Sequence, residues 1–260
     1  MYDFTDLNQI PHSAGSSFGL IYNTTDLEQE LPGFRTLSVT GRGLISKDIS
    51  TSKVPEMDGL RIDESSLPAR TIDVKFLLRG SSATDLRRSY EKLNRFILTK
   101  NQTTVSFRDD PGRYYIGLVT DCNVDEELGN EVIGMMRIFC SKPYQYSNAV
   151  TNSGTSVSFP VNLYTIKLLA DFSFIPTESG ESIQIRNSYG QAITIGPVAA
   201  GRLYDLILSD DRITIKENGI RKMTLLSIQS GVETFTIQPG SVYSLSTGGT
   251  LTARFQELRL

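Results

Sequence analysis

The chain has 260 residues, 39% of them hydrophobic and 21% charged, with a formal net charge of −3 and two cysteines. This composition fits a folded protein of one or two domains, and the longest apolar runs, such as Phe76-Leu77-Leu78, fall far short of the roughly 20 residues needed to cross a bilayer. Residues 1–146 hold 17 Lys/Arg against 20 Asp/Glu, and residues 147–260 hold 9 of each. Neither half has the basic excess of a protein that neutralises phosphate backbones, so specific nucleic-acid binding is not expected.

The N-terminus, MYDFTDLNQIPHS, lacks a basic n-region and an apolar h-region and does not read as a secretory signal, which points to folding in a cytoplasm. Residues 1–36 are weakly patterned, with one short strand expected at 18–22 and another at 36–45. Residues 46–70 alternate poorly around Pro55, Asp58-Gly59 and Pro68, and read as a hairpin or extended arm. Such a length is unusual for a plain connection and suggests a role. From Thr71, alternation of Ile72, Val74, Phe76 and Leu78 with polar neighbours predicts a half-buried strand that stops at Gly80. Ser82-x-x-Asp85 resembles a capping box. Leu86, Tyr90, Leu93 and Ile97 then mark one face of a helix over about 82–98, with Arg87, Arg88, Glu91, Lys92 and Arg95 on the other. That charged face reads as solvated, or as a dock for a neighbouring subunit.

Residues 103–108 and 113–120 are strands around an Asp109-Asp110-Pro111-Gly112 turn, and 132–140 is a further strand. The first domain, 1–146, is therefore an α+β unit with one helix on an antiparallel sheet. The polar stretch SNAVTNSGTS, residues 147–156, is read as a linker. Residues 157–260 show short alternating runs at 163–170, 172–175, 182–186, 192–195, 203–208, 212–216, 234–237, 242–245 and 251–258, with a type I′ signal at Asn218-Gly219. They predict a β-sandwich, which makes the chain mainly β.

Catalytic chemistry finds no support. The single histidine, His12, would have to serve any Ser-His-Asp or Cys-His site alone. Asp109-Asp110, Asp125-Glu126-Glu127 and Asp210-Asp211 sit where turns favour Asp, which explains them better than a glycosidase pair. Cys122 and Cys140 lie on adjacent strands, and a turn near Leu128-Gly129-Asn130 sets Cys122 opposite Met136. The sulfurs are then roughly 13 Å out of register, whereas a disulfide needs Cα atoms within about 7 Å. Gly41-Arg42-Gly43 and Gly248-Gly249 are isolated and match no phosphate-cradling loop. No catalytic, cofactor-binding or metal-binding residue is assigned and no cofactor is expected. A lectin-like carbohydrate-binding module or adhesion protein is the alternative, with Tyr189, Tyr204 or Tyr243 as aromatic rims and no tryptophan to stack on a sugar.

One stretch carries a resemblance. Leu67-Pro68-Ala69-Arg70 leads into TIDVKFLLRG, followed by Asp85-Leu86-Arg87, Leu93-Asn94, the hairpin RDDPGRYYIG and the closing CSKPYQY at Tyr146. This order is similar to the N-terminal domain of the distal tail proteins (Dit) of siphophages. Where that family commonly has VPGRDG, this chain has Val54-Pro55-Glu56-Met57-Asp58-Gly59, a departure that bears on how 46–60 pack. SIQIRN, AITIGP, RITIKENG, FTIQPGS and LTARFQEL resemble the family's galectin-like sandwich more loosely. No large insertion suggests the carbohydrate-binding module of enlarged members.

The resemblance implies a structural protein of the virion tail tip, carried by a phage or a prophage and made in the host cytoplasm. It implies a homohexameric ring of N-terminal domains, a baseplate hub whose lumen passes DNA. Its partners would be the tail tube protein, the tape-measure protein, a tail-associated fibre or lysin protein and receptor-binding proteins in host attachment. No membrane is implied. Residues 44–70 are expected to cross to the next subunit.

Overall fold

The computed structural model describes residues 15–127, 129–162, 164–208, 213–226 and 230–260. His12 and the Asp210-Asp211 pair lie outside the described residues. The chain forms two compact units, the first ending at Gln145 and the second running from Tyr146 to Arg259.

The first unit contains, in order, β1 (Leu20–Tyr22), β2 (Thr25–Asp26), α1 (Leu27–Glu30), β3 (Phe34–Thr40), β4 (Asp48–Ser52), β5 (Arg61–Ser66), β6 (Arg70–Arg79), α2 (Ala83–Ile97), β7 (Thr103–Phe107), β8 (Arg113–Val124) and β9 (Glu131–Cys140). Burial along β6 alternates residue by residue, and Ile72, Val74, Phe76 and Leu78 are fully buried. Each such side chain removed from water contributes about 1.5–3 kcal/mol. Antiparallel neighbours flank β6, with β3 on one edge and β9 on the other, and β9 pairs onward with β8. Leu86, Leu93 and Ile97 of α2 join the same core, as their spacing predicts. The Ser82 hydroxyl accepts from the Asp85 amide at 3.2 Å, and the Asp85 carboxylate accepts from the Ser81 amide at 2.8 Å. The Ser81 bonds hold the Asp85 carboxyl below its usual range.

β8 changes partner part-way along. Residues 115–117 pair with β7, and residues 118–124 pair with β9. Gly117 sits at that change, where a Cβ would lie 2.8 Å from the Cys140 sulfur and 2.9 Å from the Phe139 carbonyl oxygen. The observed register places Cys122 opposite Met136 and Cys140 opposite Arg70, so both thiols are free, Cys122 exposed and Cys140 buried. Burial pushes the Cys140 thiol up to about 11.

The chain enters the second unit through β10 (Gln145–Ser147), followed by β11 (Val150–Gly154), β12 (Ser156–Ser158), β13 (Lys167–Pro176), β14 (Ile183–Asn187), β15 (Ala192–Ile195), β16 (Tyr204–Leu208), β17 (Ile213–Glu217), β18 (Ile220–Arg221), β19 (Val242–Leu245) and β20 (Gly249–Arg259). One antiparallel layer runs β11-β20-β13-β16-β17-β18 and the other β12-β19-β14-β15. Phe172 of the first layer meets Tyr243 of the second, ring centroids 5.1 Å apart, and Phe159 bridges to Phe255 at 4.8 Å. The unit is a β-sandwich. Asn218 and Gly219 both hold positive φ in the predicted tight turn between β17 and β18.

Three expectations need correction. The stretch 147–156 contains β11, five residues in continuous register with β20; its polar composition suits an exposed edge strand as well as a linker. The runs 163–170 and 172–175 are not separate strands. β13 passes through Asp171, whose carboxylate accepts from the Leu208 amide at 3.2 Å. Residues 234–237 form no strand, because side chains take their backbone groups: Gln191 accepts from the Thr236 amide at 3.0 Å, and the Tyr243 hydroxyl donates to the Thr236 carbonyl at 3.1 Å.

Glu217, directly opposite Tyr204, makes the second unit sensitive to acid. It accepts from Lys222, from Arg202 at 2.7 Å and from the Tyr204 hydroxyl at 3.2 Å. These donors, Lys222 first, pull its carboxyl down from 4.5 to about 2. A depressed carboxyl contributes stability that is complete above about 4.5 and is lost as pH falls towards about 2. Thermal midpoints measured across that window should fall less steeply in Glu217→Gln than in the parent chain; parallel curves would refute the assignment.

Candidate assembly surface

β4 and β5 form a sheet of two strands that pairs with no other strand among the described residues. Every residue of β5 is exposed, as are four of the five in β4. Directly opposed residues share a face, so Ile49, Thr51, Ile62 and Ser65 stand together on one side. Ser50, Ser52, Arg61 and Glu64 stand on the other. The register shift between Ser50 and Thr51 leaves Asp63 unmatched in the ladder, and its carboxylate accepts from the Ser52 hydroxyl at 2.9 Å. The ribbon is therefore amphipathic without a core. Its apolar side chains are open to water, Ile49 at 55% and Ile62 at 62% exposure, and Leu44, Met57 and Leu60 in the segments beside the strands are exposed as well. A two-stranded ribbon is marginal in water by itself, and contiguous exposed apolar surface marks interaction.

The root of this hairpin is rigid. Arg70 opens β6, is 3% exposed, and donates from Nε to the Pro143 carbonyl at 2.8 Å. Its Nη1 donates to the Gly41 carbonyl at 2.8 Å and the Gly43 carbonyl at 3.2 Å. One guanidinium thus ties the chain entering the hairpin to the chain leaving it and to the segment after β9. It also lies 5.6 Å from the centroid of the Tyr115 ring, whose hydroxyl is pushed up by burial. Gly41 has φ +85°, and a Cβ there would come within 2.0 Å of the Thr71 carbonyl oxygen, so the entry point needs glycine. Arg42 next to it donates to both Asp109 oxygens, at 2.7 and 2.8 Å, and stacks 4.4 Å above the Phe107 ring.

A second exposed feature is the outer face of α2. Arg87 donates to both oxygens of Glu127, at 2.7 and 2.6 Å. Arg88, Lys92 and Arg95 follow at spacings of four and three, all exposed, so they form one basic stripe.

The other residues considered from the sequence do not converge. Asp109 serves Arg42, Asp110 accepts from Gln145, and Glu127 serves Arg87, so these acids act as local ion-pair and turn partners. No group of three or more His, Cys, Asp or Glu among the described residues could hold a metal ion. Tyr204 and Tyr243 are buried, 1% and 0% exposed, with their hydroxyls spent inside the sandwich; only Tyr189 remains outside as an aromatic rim. Arg70 entered the sequence reading only within Leu67-Pro68-Ala69-Arg70. A basic residue at an inward-facing position of an alternating strand was the signal for a buried clamp.

Residues 22–139 match the family described as phage tail protein RIFT-related domain. The chain is 30% identical over 145 residues to the distal tail protein of Bacillus phage SPP1, an alignment covering 55% of this chain and 56% of that relative. The chain thus spans little more than half the length of that curated relative in sequence. The solved structure of SPP1 Dit, described as a paradigm of the hub adsorption apparatus in phages infecting Gram-positive hosts, superposes with a TM-score of 0.78 at 24% identity, covering 94% of this chain and 99% of that one. A chain of the phage P2 baseplate in its activated conformation with Ca superposes with a TM-score of 0.51 at 12% identity, covering 88% and 91%. At these identities the structural likeness establishes the fold.

Arg70→Met keeps much of the side-chain bulk but removes the donors to three carbonyls, and should cost about 1–3 kcal/mol in urea unfolding. Arg70→Lys should recover only part, because an ammonium cannot present the planar fork. A neutral Arg70→Met would contradict the clamp.

Proposed function

We propose, from the match of residues 22–139 to the family described as phage tail protein RIFT-related domain, that this protein is a structural component of a phage tail tip. Six copies form a ring hub that joins the tail tube to the host-adhesion device, and DNA passes through its lumen. The protein acts by assembly rather than by catalysis. The observation that carries this reading is the β4–β5 hairpin, an amphipathic ribbon with a fixed root and no covering layer in its own chain.

Two further features support a ring. The ladder β3-β6-β9-β8 ends at β3, whose outer edge no strand covers among the described residues. A free strand edge is a ready template for pairing with another chain, and head-to-tail contacts close into a ring when the rotation allows. The excess of 20 acidic over 17 basic residues in 1–146 suits a lumen that must not hold DNA by its phosphates.

The sandwich unit, galectin-like on this reading, offers attachment to fibre, lysin or receptor-binding proteins. The first unit meets the tail tube and tape-measure proteins. The protein resides in the virion tail after synthesis in the bacterial host.

Light scattering tests the core of this proposal. The purified chain should assemble to six times 28.8 kDa, and removal of residues 46–66, with the root closed by a short Gly-Ser linker, should leave monomers or open oligomers. An intact hexamer without the hairpin would overturn the role given to it.

A further inference from the structure

Resting on the ring reading above, we propose that the β4–β5 hairpin of one copy seats on the basic stripe of α2 in a second copy. The two surfaces are complementary in charge and are both unsatisfied within one chain. Residues 47–66 contain five acids, Asp48, Glu56, Asp58, Asp63 and Glu64, against Lys47, Lys53 and Arg61, a net charge of −2. Of these acids, only Asp63 is in an ion pair among the described residues, with Arg61 of the same strand.

The stripe shows the opposite imbalance. Arg88 and Lys92 are like charges one helical turn apart, an arrangement that disfavours a lone helix. Among the described residues neither they nor Arg95 has an ion-pair partner, and Arg87 beside them is already held by Glu127. The acids on the same helix are Asp85, whose carboxylate accepts from Ser81 and feels the charges of Arg88 and Lys92 without an ion-pair contact, and Glu91. The face is therefore open to an anion from outside.

Shape and chemistry agree with charge. The 15 residues of α2 extend about 22 Å, and the six residues of β5 extend about 20 Å, so the ribbon can lie along the helix. Asp48 and Glu64 stand together on the polar side of the ribbon, opposite Ile49 and Ile62. The heads of Arg88, Lys92 and Arg95 would meet that polar side, with their long stems giving them the reach to do so. Because the hairpin and the stripe are different patches, the contact is heterologous and runs head to tail, as a ring requires.

Charge reversal and rescue decide the matter. Asp48→Lys with Glu64→Lys, and separately Arg88→Glu with Lys92→Glu, should each weaken self-association about tenfold or more in sedimentation. All four substitutions together should return it to within about threefold of the parent chain. All four substituted positions are exposed at the surface, so circular dichroism of every variant should match the parent. A fourfold variant that associates no better than the weaker double variant would overturn the docking while leaving the ring reading intact. A parent chain that stays monomeric at high concentration would remove both.

Discussion

A two-stranded ribbon has one layer only, so whatever its alternating pattern places on the apolar face must be covered by something else. In this chain that constraint falls on Ile49 and Ile62, held on one side of β4 and β5 by the strand pairing across a bulge at Asp63. The chain does not relax the problem by letting the ribbon fold back. Arg70 binds the carbonyls of Gly41 and Gly43 at the entry and Pro143 behind it, while Arg42 is fixed between Asp109 and Phe107. A buried guanidinium is costly unless its donors are met. Here most of that cost is offset by carbonyl acceptors, and the result is a hairpin whose root is fixed while its length stays outside the core.

The rest of the first unit reads as support for that projection. β6 carries the clamp at its first residue and the core at every second residue after it. α2 closes the core with Leu86, Leu93 and Ile97 and, because those three occupy one side, necessarily turns Arg88, Lys92 and Arg95 to the outside. The same helix thus stabilises the unit and displays a charged stripe. The sandwich unit has a separate core built on Phe172, Phe255 and Tyr243, so its stability does not depend on the hairpin.

Where burial is one-sided and periodic, the sequence was a sufficient guide. The alternation from Ile72 to Leu78, the helix around Leu86 to Ile97 and the Cys122–Met136 register all appear in the structure as read from spacing. Reading failed where one polar residue or a side-chain network overruled local pattern. Asp171 looked like a break but lies within β13, bound to the Leu208 amide. Thr236 looked like a strand residue but gives its backbone to Gln191 and Tyr243. Tyr204 and Tyr243 looked available as sugar rims, yet the sandwich needs their rings and hydroxyls inside. The hairpin was visible as a long irregular stretch, but its two faces depend on a pairing register that spacing alone does not set. Arg70 was hidden for a related reason, since its partners are backbone carbonyls distant in sequence.

Hydrogen exchange of the hairpin amides, followed by mass spectrometry in dilute and in concentrated protein, tests most directly the claim that this ribbon is completed by another copy. Peptides from residues 48–66 should exchange rapidly in the dilute protomer and become protected on assembly, while peptides from β6 and β9 stay protected in both. Protection of 48–66 that is equal in the dilute protomer and in the concentrated sample would contradict the account, because the ribbon would then be stable without a partner.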